Sequence, residues 1–388
     1  MSALKNKSVL ILDDSKAMRD MLRIHLSNIG VGDVSQAERV PDAMRAIRAR
    51  TFDVILCDYN LGEGRNGQQF LEEARVAKTI RHSDVFMMVT AEKAYENVMA
   101  VAEYAPDDYL LKPFNANELD KRLMAAFRKK YELLDVLAPL DREDLVAVLA
   151  ACDKRLASDS AKYRMTVERI RAETFLDLER YEDAARCYED ILHEKPQAWA
   201  ELGLGRALLH LGETERAKGL FEHVSETFPT YLKSHDFLAE FHEANGDDKA
   251  AQTAIEKAVE QSPLRMDRQG KLGEIAIRNA DLDTAEKAFT KIVTHGAGSC
   301  FHNPEAYLRL AEINLKTGKA KKAAEVLDSL QKAIDNANKS KYESAFKSNP
   351  VADFCLAVGR TDGERLKGDR KSSEEHFKTA LELLSKNP

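Results

Sequence analysis

The sequence predicts an α/β domain on a five-stranded parallel sheet, followed by an all-α domain of repeated helix hairpins. Over residues 1–128, short apolar runs alternate with amphipathic stretches, and several of those runs stop at an acid. Beyond about residue 160 the chain reads as helix throughout, and an alanine recurs at a nearly fixed stride. Strand and helix in alternation mark a doubly wound parallel sheet, whereas a fixed stride marks stacked repeats. At 388 residues the chain is too long for one ordinary core.

The elements follow in order. Ser8 to Leu12 is an apolar strand ending in Asp13-Asp14, and Ser15 to Ile29 is a helix with Met18, Leu22 and Leu26 on one face. Asp33 to Ala37 is a second strand, and Pro41 to Arg50 is a helix with proline in its first turn, where the missing N–H costs nothing. Asp53 to Cys57 is the central strand. Its continuous Val54-Ile55-Leu56-Cys57 suits a strand covered on both faces, and it emerges at Asp58. Gln68 to Ala77 is helix, Val85 to Val89 strand, Ala94 to Tyr104 helix, Tyr109 to Leu111 strand, and Asn117 begins the last helix of this domain.

A net charge of −7 and a pI near 5.9 give no electrostatic case for nucleic acid or an anionic membrane. Five cysteines stand singly with no paired spacing, which fits neither a disulfide framework nor zinc. No apolar run approaches the roughly 18 residues of a membrane helix, so a cytoplasmic location is expected.

In a doubly wound sheet ligands gather at the carboxyl ends of the strands. Here those ends offer Asp13 and Asp14, Asp58, Thr90, and Lys112 with Pro113. Two carboxylates about 4 Å apart repel by roughly 4 kcal/mol at an effective dielectric near 20, so three together call for a cation. Oxygen ligands of that charge favour Mg²⁺. A metal, a carboxylate nucleophile and a lysine are the equipment for phosphoryl transfer onto an aspartate.

The acidic pair, the Asp after the third strand, the Thr after the fourth and the Lys-Pro after the fifth resemble the receiver domain of bacterial two-component response regulators, nearest the chemotaxis type. The resemblance implies a flavodoxin-like sheet in the order 2-1-3-4-5, with Asp58 as phosphoacceptor. It further implies that Asp14, Asp58 and the Asn60 backbone carbonyl hold Mg²⁺ with Asp13 acting through water. Lys112 and Thr90 would contact the phosphoryl group, and Tyr109 would be the aromatic switch. Asn60 and Glu92 would tune hydrolysis, and the Lys112-Pro113 bond would be cis. Between Asp58 and Gly67 the chain runs one residue longer than the usual pattern and lacks its proline.

From Asn117 an apolar face of Leu119, Leu123, Phe127, Tyr131, Leu134 and Leu137 continues without a breaker until Pro139. At 1.5 Å per residue, Leu119 to Leu137 would span about 27 Å. It is read as a lever or a homodimer face, or as two helices bent near Lys129-Lys130. Residues 129–160, including a helix from Asp141 to Leu156, form a helical connector.

Ala184, Ala217, Ala251 and Ala285 lie 33, 34 and 34 residues apart, each followed after four residues by Tyr188, Phe221, Ile255 or Phe289. Pro196, Pro229 and Pro263 follow, and Ala323 with Leu327 marks a fifth unit. This pattern resembles a tetratricopeptide repeat (TPR) array over residues 161–388, about five units with a degenerate sixth ending at Phe377 and Ala380. Gln331 to Pro350 is expected to extend a helix or add a loop. The resemblance implies a solenoid whose first helices line a concave groove, nominating Trp199, Leu202, Arg206, His210, Phe237, Glu240, Lys271, Glu274, Arg278, Arg309, Glu312 and Lys316. Trp199 is either a contact or buried between repeats. The expected function is a response regulator loaded at Asp58 by a histidine kinase or phosphotransfer protein. Its repeats would bind a protein, and its only chemistry would be hydrolysis of its own acyl phosphate. The alternatives are a transcription regulator and a modulator of a partner kinase, phosphatase or cyclic-nucleotide enzyme.

Overall fold

The computed structural model describes residues 6–62, 66–91, 106–158, 162–296, 302–339, 346–347 and 349–367, with 369, 371–373, 375–376 and 379 beyond them. These fall into two compact units, Met1–Leu238 and Ala239–Pro388.

The first unit opens with five parallel strands, β1 (Ser8–Leu12), β2 (Asp33–Ala37), β3 (Val54–Asp58), β4 (Val85–Thr90) and β5 (Asp108–Leu111), in the order β2-β1-β3-β4-β5. Every residue of β3 and β4 is buried, as continuous apolar runs require in a sheet covered on both faces. One cluster, with Leu10, Ile55, Phe70 and Phe86, covers one face, and Val9, Leu22, Leu56, Val89 and Leu123 cover the other. Register pairs Leu12 with Cys57, Asp58 with Val89, and Thr90 with Leu111, which brings the strand ends to one edge.

Helix α1 (Lys16–Asn28) starts at the Ser15 cap, and α2 (Val40–Ala49) has its proline in the first turn. The third, α3 (Gly67–Val76), is closed by a reciprocal capping box between Asn66 and Gln69. Next described is α4 (Ala116–Glu132), capped by Asn115. The expected helix Ala94 to Tyr104 lies outside the described residues.

Of the two readings of the stretch after Asn117, the continuous helix gives way to two helices, with the break at Leu133 and not at Lys129-Lys130. α4 stops at Leu133, and a separate α5 (Leu134–Asp141) begins there. Tyr131 is 79% and Leu134 43% exposed, so neither continues the buried face. The inward stripe instead runs Leu119, Leu123, Ala126, Lys130, Leu133, and it serves two cores. Leu119 and Leu123 pack on the sheet, whereas Leu133 packs on Val136, Leu137, Val148 and Cys152. The chain turns at Leu133 to fill both. Pro139 lies inside α5 instead of ending the helix. The expected helix from Asp141 is α6 (Leu145–Leu156), capped by Asp144.

The first unit continues with α7 (Arg164–Asp177), α8 (Tyr181–Glu194), α9 (Ala198–His210) and α10 (Thr214–Thr227), and α11 (Lys233–Ala244) begins within it. Ala184 and Ala217 are fully buried, as are Tyr188 and Phe221. A Cβ on Gly205 would lie 2.3 Å from the Phe221 ring, so the glycine is what lets α9 and α10 approach so closely. The second unit holds α12 (Asp248–Gln261), α13 (Met266–Arg278), α14 (Leu282–His295), α15 (Pro304–Lys316), α16 (Ala320–Lys339) and α17 (Pro350–Lys367). Ala251, Ala285 and Ala323 are buried there with Ile255, Phe289 and Leu327. Of the two readings of Gln331 to Pro350, helix extension holds as far as Lys339, and residues 340–345 lie outside the described set, as do Phe377 and Ala380.

The repeat period also appears in the backbone. Glu179, Gly212, Gly246, Ala280 and Gly318 all have positive φ, one in the turn between the two helices of each hairpin. A left-handed residue ends the first helix and reverses the chain.

Candidate functional site

β1 delivers Asp13, 1% exposed, and the exposed Asp14; β3 delivers Asp58, 8% exposed; β4 ends at Thr90, 1% exposed. Lys112 follows β5, and its peptide bond to Pro113 is cis. The Lys112 ammonium bridges two acids, with Nζ 2.8 Å from Asp58 Oδ2 and 2.9 Å from Asp13 Oδ2. One carboxylate oxygen from each of Asp13, Asp14 and Asp58 lies within 4.8 Å of the others.

Three carboxylates against one lysine leave a formal deficit of two positive charges. Burial raises the Asp58 pKa above the usual carboxylate value, and Lys112 offsets this only in part. For Lys112, burial acts downward, but hydrogen bonds to Asp58 and Asp13 outweigh it and the ammonium is held above its ordinary value. The lysine stays charged. Cys57, fully buried beside the site, has its thiol pushed far above the ordinary range by burial and then by Asp58, and its Sγ–H donates to the Asp58 carbonyl.

The acidic turn is held from below. The Asp13 carboxylate accepts from the Ser15 N–H at 2.8 Å, and Arg19, itself buried, donates to the carbonyls of Asp13 at 2.7 Å and Asp14 at 3.0 Å. Sequence reasoning passed over Arg19, because one arginine on the face of an amphipathic helix carries no distinguishing signal. Gly67 supports Asp58 from the other side: its N–H donates to Tyr59 O at 2.8 Å, and a Cβ there would lie 2.1 Å from the Asp58 carbonyl oxygen.

The structure brings Asp13, Asp14, Asp58 and Lys112 together, with Thr90 buried at the same edge. Lys112 N–H donates to Thr90 O at 2.7 Å. Asn60 is exposed two residues past Asp58, and its N–H donates to Asp58 Oδ1 at 3.3 Å. Tyr109 is half-buried in β5, with the Arg122 guanidinium 5.4 Å from its ring centroid. Glu92 lies outside the described residues, as do Glu63, Gly64 and Arg65 of the lengthened loop.

The nominated groove residues are largely engaged by other side chains of the array. In the first unit, Arg169 stands 5.1 Å from the half-buried Trp199 ring, His210 stacks on Tyr181 at 4.2 Å, and Arg206 lies 5.6 Å from the Phe237 ring. In the second, Lys271 pairs with Glu240 at 3.0 Å, Arg278 with Glu243 and Asp248, and Arg309 with Glu274 at 3.0 Å, each linking successive hairpins. Such exposed pairs contribute about 0–1 kcal/mol each. Lys316 is exposed at the end of α15.

A parallel sheet in this order with this acid edge is the receiver arrangement, and residues 9–124 match the response regulator receiver domain family. Residues 171–223 and 271–338 match the tetratricopeptide repeat family. The chain thus joins an amino-terminal receiver domain to carboxyl-terminal tetratricopeptide repeats. The chemotaxis protein CheY-3 of Vibrio cholerae is 29% identical over 125 residues, which span 32% of this chain and 95% of that protein. Transcriptional regulatory protein YvrH of Bacillus subtilis is 28% identical over 129 residues, 33% of this chain and 52% of that protein. Among solved structures, the C-terminal part of a TPR repeat-containing protein from Cytophaga hutchinsonii is 15% identical, covers 63% of this chain and 92% of its own, and gives a TM-score of 0.48. Among the described residues no helix is long and apolar enough to cross a membrane.

Proposed function

We propose that the protein is a phosphorylation-controlled interaction switch of the cytoplasm, in which Asp58 accepts a phosphoryl group and the repeats bind a protein partner. The observation that carries this is the Lys112 ammonium shared between Asp13 and Asp58 beside Asp14. The chain is read as a receiver over 1–128, a connector over 129–160 and a repeat array over 161–388.

An all-oxygen donor set with a deficit of two charges fits a hard divalent cation. Asp14, Asp58 and the Asn60 carbonyl would hold Mg²⁺ with Asp13 behind them, and the ion would supply charge neutralisation for the incoming phosphoryl group. The protein's own groups do the rest. An Asp58 Oδ forms a bond to phosphorus as the phosphorus–nitrogen bond of a phosphohistidine donor, or the phosphorus–oxygen bond of acetyl phosphate, breaks and the donor leaves. Lys112 turns from the carboxylates to the phosphoryl oxygens, and Thr90 offers its hydroxyl. Water later cleaves the new phosphorus–oxygen bond and restores the carboxylate. That hydrolysis is the only catalysis proposed.

Incubation of the full chain with acetyl phosphate, followed by intact-mass measurement, tests the reading. One phosphoryl group per chain is expected with Mg²⁺ and none after chelation. The Asp14→Asn chain should need far more Mg²⁺ for the same labelling. Labelling indifferent to both changes would overturn the assignment.

A further inference from the structure

The polar contacts of the receiver's opposite edge have no part in the chemistry above. Residues 78–84 lead into β4 and Asp107 leads into β5, so both sit at the amino ends of strands whose carboxyl ends carry Thr90 and Lys112. A six-residue strand puts this edge about 20 Å from the acids. There the Asp141 carboxylate accepts from the backbone N–H of His82 at 2.6 Å and of Ser83 at 3.3 Å. Lys130, whose side chain is 13% exposed, pairs with Asp107 at 2.7 Å and donates to His82 O at 2.6 Å. Asp107 in turn ties the two strands, accepting from Phe86 N–H at 2.9 Å through its carboxylate and donating its own N–H to Phe86 O at 2.7 Å. Lys78 pairs with Glu143 in the turn after α5.

The helices alone give no reason for these residues. Asp141 is the last residue of α5, where a negative charge opposes the helix dipole, and Lys130 stands on the inward stripe of α4. Burial pulls the Lys130 ammonium below its ordinary pKa even with Asp107 beside it. A carboxylate at a helix's unfavourable end and a lysine turned inward both make sense as parts of a contact between receiver and connector.

We propose that the amino edge of the receiver sheet is a latch on the connector, gripping Asp141 and Glu143, and that it is the receiver's output contact. The strands that bring Thr90 and Lys112 to the acids begin at the latch, so a shift of β4 or β5 at one end strains the contacts at the other. The carboxyl edge stays open to a phosphodonor while the connector is held. The output role rests on the proposed phosphorylation of Asp58; the latch itself does not.

Hydrogen exchange on the full chain tests both. Asp141→Ala should speed exchange over 78–86 and 134–145 by about tenfold or more, as loss of a charge-assisted hydrogen bond from a docked edge requires, while acetyl phosphate labelling of Asp58 is retained. Unchanged protection at 134–145 in Asp141→Ala overturns the latch. Beryllofluoride with Mg²⁺ should alter exchange at 134–145 in the natural chain and not in Asp141→Ala. No change there, with fluorine resonances showing the group bound, overturns the output role. Absence of bound beryllofluoride counts against the phosphorylation reading, and the first arm still decides the latch.

Discussion

Asp58→Asn should take up no phosphoryl group from acetyl phosphate, yet melt higher than the natural chain in metal-free buffer at neutral pH. The first half follows from the nucleophile: an amide nitrogen or oxygen does not replace an ionised carboxylate oxygen. The second follows from the raised Asp58 pKa, caused by burial and only partly offset by Lys112. A carboxyl whose folded pKa lies above its unfolded value of roughly 4 contributes its stability below that value and loses it as pH rises through the folded one. At neutral pH the ionised group is therefore a net cost that asparagine removes. The advantage of the variant should shrink as the pH is lowered through the acid range, because protonated Asp58 no longer needs relief. Mg²⁺ should reverse the order, since at about 100 times its dissociation constant a ligand adds about 2.7 kcal/mol to a chain that binds it. Melting curves at several pH values with and without Mg²⁺ check this. An Asn variant less stable than the natural chain in metal-free neutral buffer would mean that the Lys112 pair outweighs the cost of burial.

Gly67→Ala should destabilise the chain by about 3 kcal/mol, the upper end of the range for overpacking. In an ordinary helix the same change would stabilise by up to about 1 kcal/mol, so the sign separates steric cost from propensity. The new methyl would lie 2.1 Å from Asp58 O, 3.0 Å from Asp58 C and 2.8 Å from Cys57 Sγ, and backbone atoms have no rotamer to yield. Either α3 moves away from β3 or Asp58 moves, and both disturb the site. Gly32→Ala, with open space around it and no positive φ, is the control and should be near neutral. Urea denaturation of the two variants decides, and a Gly67→Ala chain as stable as the Gly32→Ala control would refute the contact.

Much of this was legible because a buried parallel strand leaves a simple trace. β3 and β4 must be apolar up to their last residue, so the polar residue that closes each marks the sheet edge, and Asp58 and Thr90 stood out for that reason. The alanine stride was equally plain, since each small residue answers to a close helix contact. Lys130 was not legible. It occupies a core position on α4 with a charged head, so in the sequence the apolar face reads through Phe127 and Tyr131 and on past Leu133. Asp141 read as the start of a helix and is the end of one, because its partners are backbone N–H groups of a loop distant in sequence. Arg19 hid for a related reason: its targets are carbonyls, which the sequence never spells out.

The thiol of Cys57 turns β3 into its own reporter. Fully buried beneath α3 beside Phe70, Leu71 and Ala74 and held in the neutral form, it is no nucleophile while that face is closed, and an alkylating reagent can reach it only when α3 lifts from the sheet. Its rate of modification would therefore time the lifting of α3 from the sheet directly.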